Sequence, residues 1–301
     1  MARQVTDIQS VIDGFGQTGY VADRALATAI FLLVKLGKPL LIEGPAGVGK
    51  TEVAKALGSM LGTELIRLQC YEGLDHNSAV YEWNYQKQLL AIKIQEASDK
   101  SVEEKESYVF GSDFLLKRPL LKSILCDDKP PVLLVDEIDR ADEAFEALLL
   151  ELLSEFQITI PELGTIQAKT TPHVILTSNG SRELSDALKR RCLYHWIDYP
   201  DLAKELEIVR VKLPEIADNL SRQAVRYVHA VRQLELSKRP GIAETLDLSR
   251  SLAILGKTKL DPEGAEETLG CILKSADDIA KVRTEGIDRI LNRAGGSGPA
   301  G

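Results

Sequence analysis

The stretch Gly44-Pro-Ala-Gly-Val-Gly-Lys-Thr51 fits the pattern GxxxxGK[ST]. Its residue types suit the cradling of a chain of phosphates. Glycines let the backbone wrap the oxygens with successive N–H groups pointing inward, and a following helix adds the positive end of its dipole. Gly44, Pro45, Ala46, Gly47, Val48 and Gly49 would form the cradle, Lys50 would reach the β- and γ-phosphates, and Thr51 would offer its hydroxyl to Mg2+. A chance glycine turn is the competing explanation. The apolar run Pro39-Leu-Leu-Ile42 directly before the loop argues against it.

Val132-Leu-Leu-Val-Asp-Glu-Ile-Asp139 is a buried strand that ends in acids. Together with the phosphate loop it places Asp136 near a magnesium shell and Glu137 where it polarises a water for attack on the γ-phosphate. Alone, the same acids would read as a solvated strand end. Leu176-Thr-Ser-Asn179 puts an amide at another strand tip, where Asn179 would orient the water or sense the γ-phosphate. The bland alternative is an asparagine capping a turn or the helix that follows. Leu188-Lys-Arg-Arg-Cys192 is either a solvated helix end or an arginine finger for a neighbouring subunit.

The elements that must hold these residues follow from the pattern around them. From about 37 to 199, β-rich runs alternate with helical stretches, as in a parallel sheet covered by helices. Strands are expected at Pro39–Ile42, Glu64–Cys70, Val132–Val135, His173–Thr177 and Tyr194–Ile197, with a helix over Thr51–Leu61. Phe145, Leu148, Leu149, Leu152, Leu153 and Phe156 form one helical stripe. Gln157–Ile160 and Thr165–Ala168 read as a hairpin inserted before the fourth strand. After Pro200 the chain becomes helical, over Asp201–Lys212, Glu215–Leu234, Glu244–Leu255, Glu263–Lys274 and about Asp277–Arg293. Glu96–Ser107 reads as a solvated mixed-charge loop or helix end. The expected division is an α/β core over 1–199 with its hairpin insert at about 157–168, a helical domain over 200–293, and a flexible tail over 294–301.

The 301 residues carry 37 basic and 45 acidic side chains, a net charge of −8 that disfavours nucleic-acid wrapping. Cys70, Cys126, Cys192 and Cys271 are too scattered for a disulfide framework and read as reduced thiols. Cys192 with His195 lacks the further ligands that a metal site needs. No apolar stretch follows the N-terminal basic residue, and the longest run, Ala25–Val34, is too short to span a bilayer. A cytoplasmic location is the expectation.

In order, the phosphate loop, Asp136-Glu137, Asn179, Arg190-Arg191 and a helical C-terminal region resemble an AAA+ ATPase. The hairpin around Gln157–Ala168 and the segment Phe110–Leu121 are similar to the MoxR branch. The phrases Leu68–Asp75, Gln157–Gly164, Ala187–Asp198 and Arg239–Asp247 resemble CoxD-type members found with molybdenum-containing carbon monoxide dehydrogenases. The similarity spans about residues 15–280. It implies a P-loop NTPase of three-layer αβα form with a small all-α lid, and ATP and Mg2+ as ligands. It also implies a homo-oligomeric ring, a hexamer by resemblance, with Arg191, then Arg190, as the trans finger. A von Willebrand factor A (VWA) domain partner and a client metalloenzyme that is remodelled or supplied with its metal centre complete the implied setting, with no nucleic acid and no membrane insertion. Tyr20 and Val21, in Gly19-Tyr-Val21, stand where such proteins often hold adenine; plain packing is the alternative. One departure stands out: Gly241-Ile-Ala-Glu-Thr245 lacks the arginine that relatives carry at this lid position, with Arg239 and Arg250 the nearest substitutes. Tyr81-Glu-Trp-Asn-Tyr85 would either grip a client, or pack onto the domain surface or a subunit contact. A nucleic-acid-dependent motor or loader and a P-loop kinase are the competing readings of the same loop.

Overall fold

The computed structural model describes residues 5–95 and 101–296. Nine strands occur among them: β1 (Leu40–Glu43), β2 (Leu65–Gln69), β3 (Tyr81–Trp83), β4 (Leu115–Lys117), β5 (Val132–Asp136), β6 (Gln157–Ile160), β7 (Gly164–Gln167), β8 (His173–Ser178) and β9 (Leu193–Trp196). Five form a sheet in the order β2-β5-β8-β1-β9, and every pairing is parallel. All five strands expected from the sequence are present, within a residue or so of their expected ends. A parallel strand covered on both faces has no polar side to show, and β5 is accordingly buried at all five positions. Parallel pairing also brings the strand ends to one edge: Glu43 lies opposite Ser178, and Gln69 opposite Asp136. The residues that follow β5 and β8, Glu137 and Asn179, therefore emerge from that edge.

Two compact units divide the chain. The first comprises residues 1–14, 23–43 and 54–196 and contains the sheet. Its core joins Leu41, Leu68, Leu133, Val135 and Leu176 to Phe145, Leu149 and Leu152. Those last three come from the helix Glu143–Glu155, which starts because the Asp142 side chain accepts the Phe145 N–H. It ends at Phe156 in the left-handed region (φ 50°), which a bulky residue adopts only under constraint from packing. Phe156 packs against the core, so the stripe carries one residue beyond the helix. β6 and β7 form the expected antiparallel hairpin. β3 and β4, a second antiparallel pair, have no counterpart in the expectation. Serine 101 caps the helix Val102–Val109 through a reciprocal bond with Glu104, so the described part of the mixed-charge run is a capped helix; residues 96–100 lie outside the described residues.

The second unit comprises residues 15–22, 44–53 and 197–301. Its helices Leu202–Lys212, Asp218–Arg232 and Ile242–Ile254 pack around Val209, Val228, Tyr227, Leu248 and Leu252. The expected helix over Glu263–Lys274 is two, Pro262–Glu267 and Leu269–Ile272. Between them, at Thr268 (φ −106°, ψ 8°), the hydroxyl donates to the Gly264 carbonyl at 2.6 Å. The expected helix over Asp277–Arg293 is also two, Ala276–Glu285 and Ile287–Gly296, separated at Gly286 (φ 91°). The second reaches Gly296, so residues 294–296 are helical, and the rest of the expected tail lies outside the described residues.

Candidate functional site

The phosphate loop lies in the second unit with Tyr20 and Val21. Gly44 has φ 155°, and a Cβ there would lie 2.0 Å from the Ile197 carbonyl oxygen, so only glycine fits. Gly47 (φ 80°) makes the other close approach. Its carbonyl accepts the Ile242 N–H at 2.9 Å, and a Cβ on Gly241 would come within 2.7 Å of that oxygen. The first turn of the helix Ile242–Ile254 thus meets the loop backbone to backbone, at the position where the sequence lacks an arginine. Arg239 and Arg250 are both exposed. Lys50 is buried, and its Nζ donates to the carbonyls of Gly44 and Pro45, each at 2.7 Å. Thr51 is half-buried in the first turn of the helix Lys50–Leu61. Tyr20 is half-buried with its ring edge-on to Phe15, and Val21 is half-buried; both fall in the linker between the helices Ile8–Gln17 and Arg24–Leu36.

A second constellation lies in the first unit, at the edge of the sheet. Asp136 is 2% exposed. Thr177 donates its hydroxyl to Asp136 Oδ1 at 2.5 Å, and Thr177 Oγ1 in turn accepts the Glu137 N–H at 2.9 Å. Glu137 stands in the left-handed region (φ 55°, ψ 50°), a conformation that costs a non-glycine residue on the order of 1–2 kcal/mol. The Thr177 bond is part of what holds it there. Both carboxylate oxygens of Glu137 are engaged: Oε2 accepts from Gln69 Nε2 (3.0 Å) and Arg140 Nη1 (3.0 Å), and Oε1 from Asn179 Nδ2 (3.4 Å). Arg67 donates Nε (3.0 Å) and Nη2 (2.6 Å) to Asp136 Oδ2. Gln69 lies opposite Asp136 across the strand pair, and the two-residue period of β2 puts Arg67 on the same face.

Asp139 joins the strand ends. It is buried, and it accepts the backbone N–H of Asn179 (3.2 Å), the backbone N–H of Ser181 (2.9 Å) and the Ser181 hydroxyl (2.6 Å). Burial alone would raise its pKa, but these donors outweigh it and hold the carboxyl below its ordinary value. Glu146 fixes the next stretch in the same way, accepting from Arg182 Nη2 (2.5 Å) and the Ser185 N–H (3.0 Å). Cys70 is fully buried beside the acids. Burial first, and then the charges of Asp136, Asp139 and Glu137, push its thiol up to about 12, so it stays protonated.

The structure thus brings Asp136, Glu137 and Asn179 together. Arg190 and Arg191 end the helix Asp186–Arg191. Arg191 donates to Ser154 Oγ at 3.0 Å and to the Ala187 carbonyl at 3.4 Å, whereas Arg190 is exposed and makes no side-chain bond among the described residues. In Tyr81–Tyr85, Trp83 is buried and Tyr81 half-buried in the core of the first unit, while Tyr85 is 63% exposed. Sequence reasoning singled out neither Arg67, Gln69, Thr177, Arg140 nor Asp139 as site residues. The available signal was in β2, where polar residues at 67 and 69 alternate with Ile66 and Leu68.

Residues 39–192, more than half of the chain, match the family model of the AAA domain (dynein-related subfamily). The chain belongs to this AAA family. The matched span runs from just before the phosphate loop to the end of the helix that carries Arg190 and Arg191. Among curated relatives, an uncharacterized protein of Staphylococcus haemolyticus is 26% identical over 237 residues, covering 77% of this chain and 81% of the relative. An uncharacterized protein of Staphylococcus aureus is 29% identical over 176 residues, and the chain spans only 59% of its length. Among solved structures, a point mutant of RuvB from Thermotoga maritima is similar at a TM-score of 0.50 and 18% identity, covering 98% of this chain and 80% of that one. That likeness concerns the fold alone: a parallel P-loop sheet with flanking helices and a helical C-terminal region. No helix among the described residues of this AAA protein is long and apolar enough to cross a membrane.

Proposed function

We propose that this AAA protein is an ATP hydrolase, binding the nucleotide through Gly44–Thr51 and activating water with Glu137. The observation that carries the reading is the Glu137 arrangement. A carboxylate is held in a strained backbone conformation at a strand tip, with donors on both oxygens and the Asn179 amide beside it. A nucleotide-binding module that only held its ligand would have no need of it.

Lys50 would leave the loop carbonyls for the β- and γ-phosphates, and the loop N–H groups would take the phosphate oxygens. Glu137 would accept a hydrogen bond from the attacking water, and Asn179 would orient that water through its amide. Thr51 and Asp136 would hold magnesium. Both offer oxygen, which suits this hard cation, and the buried Asp136 carboxylate already draws a guanidinium to itself, so its surroundings accept positive charge. Bound magnesium supplies neutralising charge to the phosphate oxygens.

The MoxR-like and CoxD-like phrases extend the proposal. In this reading the chain works as a homo-oligomeric ring, with Arg190 or Arg191 reaching a neighbour's nucleotide. ATP turnover would then remodel a client of the molybdenum hydroxylase class, or help load its metal centre, alongside a VWA-domain partner. What supports this part is resemblance in wording, together with the hairpin β6–β7. The test of the core proposal is Glu137→Gln: ATP binding should persist while turnover falls at least about a hundredfold. Full turnover by that variant would remove Glu137 from the role.

A further inference from the structure

Asp136 presents a problem that magnesium does not solve alone. Its side chain is 4% exposed and carries a charge, and a buried carboxylate without a counter-charge is heavily penalised. Whenever the metal is absent, something else has to neutralise it. Arg67 is placed to do so, with Nε at 3.0 Å and Nη2 at 2.6 Å from Oδ2, while Thr177 occupies Oδ1. The two partners differ in one respect. Asp136 is fixed at the end of a fully buried strand, whereas the Arg67 side chain is 50% exposed, so one side of it already faces water. It also has a second handhold, since Nη2 donates to Gln69 Oε1 at 2.5 Å.

We propose that Arg67 is the resting counter-ion of the metal position. Its guanidinium pairs with Asp136 when no divalent cation is bound and gives way when one arrives. The inference rests on the reading of Asp136 as the magnesium-holding carboxylate. Two cations cannot share Oδ2 without mutual repulsion, and Arg67 is the one with a route to solvent. Metal binding then exchanges one charge pair for another at Oδ2. Arg67 therefore opposes magnesium, and its removal should tighten metal binding. A metal ligand or a phosphate-binding cation would show the opposite sign.

The test uses the full chain and a fluorescent ADP, with binding measured in EDTA and across a magnesium titration. For Arg67→Gln, the half-saturating magnesium concentration should fall by roughly three- to tenfold, the span between an exposed and a half-buried charge pair. Arg67→Lys keeps the charge but replaces the forked donors by a compact ammonium, so its midpoint should lie between those of Arg67→Gln and wild type. Nucleotide affinity in EDTA should be unchanged in both variants, which also reports that they are folded. An unchanged or raised magnesium midpoint in Arg67→Gln, with binding in EDTA intact, overturns the proposal and leaves the proposed function standing. A wild-type chain that binds no nucleotide, or an Asp136→Asn variant with a wild-type magnesium midpoint, would instead overturn the site assignment, and this proposal with it.

Discussion

Replacing Thr177 by valine should damage both acids at once, through one hydroxyl. The side chain is 1% exposed, donates to Asp136 Oδ1 at 2.5 Å and accepts the Glu137 N–H at 2.9 Å. Valine keeps the shape and opens no cavity, so the cost is polar. Losing a hydrogen bond to a charged group costs about 1.5–3 kcal/mol, and stranding a buried N–H about 1–3 kcal/mol. Together these give about 2–5 kcal/mol for Thr177→Val, allowing for some relaxation. Part of that relaxation is at Glu137, whose left-handed backbone is left with one fewer restraint. Turnover should therefore fall while nucleotide affinity stays within about threefold of wild type. Urea unfolding followed by tryptophan fluorescence is the assay, because Trp83 and Trp196 lie in the same compact unit as Thr177. Thr177→Ser, which keeps the hydroxyl, should lose only about 1 kcal/mol, the value of its missing methyl group. A valine variant within about 0.5 kcal/mol of wild type would refute the reasoning, since that is the scatter of neutral substitutions.

Gly241→Ala should separate the loop from the helix that meets it. The added Cβ would lie 2.7 Å from the Gly47 carbonyl oxygen, so the Ile242 N–H bond to Gly47 is lost at a cost of about 1–3 kcal/mol. A thermal shift indistinguishable from wild type would show that this contact contributes nothing. Acid should also destabilise the chain in a defined window. Burial pushes the Glu205 pKa up, but donors from His229, Arg232 and Thr245 hold it below its ordinary value, and Asp139 and Glu146 are likewise lowered. Their stabilisation is complete above the unfolded carboxylate pKa of about 4 and is lost as pH falls through the lower folded values. Urea midpoints should be flat from neutral pH to about pH 5 and drop below about pH 4, less steeply in Glu205→Gln. Equal slopes would remove Glu205 from that explanation.

The sheet is legible because buried parallel strands read as short, mostly apolar runs between polar turns. Val132–Val135 and His173–Thr177 announced themselves in this way. β3 and β4, at three residues each, offer too little alternation to be seen, and their pairing spans more than thirty residues of chain. The broken helices were missed for a different reason. Apolar spacing carries on through Thr268 and Gly286, and the breaks fall at backbone conformations, φ −106° at Thr268 and 91° at Gly286, which spacing does not encode. In the site, motif residues such as Asp136, Glu137 and Asn179 were visible because their types and order are restrictive. Arg67 and Thr177 were not, because each matters only through a partner some forty to seventy positions away, and register alone brings them together.

Phosphate release from ATP by the purified chain, beside its Lys50→Ala variant, tests most directly whether this AAA protein turns over ATP. With magnesium, and with water as the only acceptor, the wild-type chain should release phosphate at a steady rate, and the variant should not rise above background. No release from the wild-type chain, or equal release from both, would contradict the account.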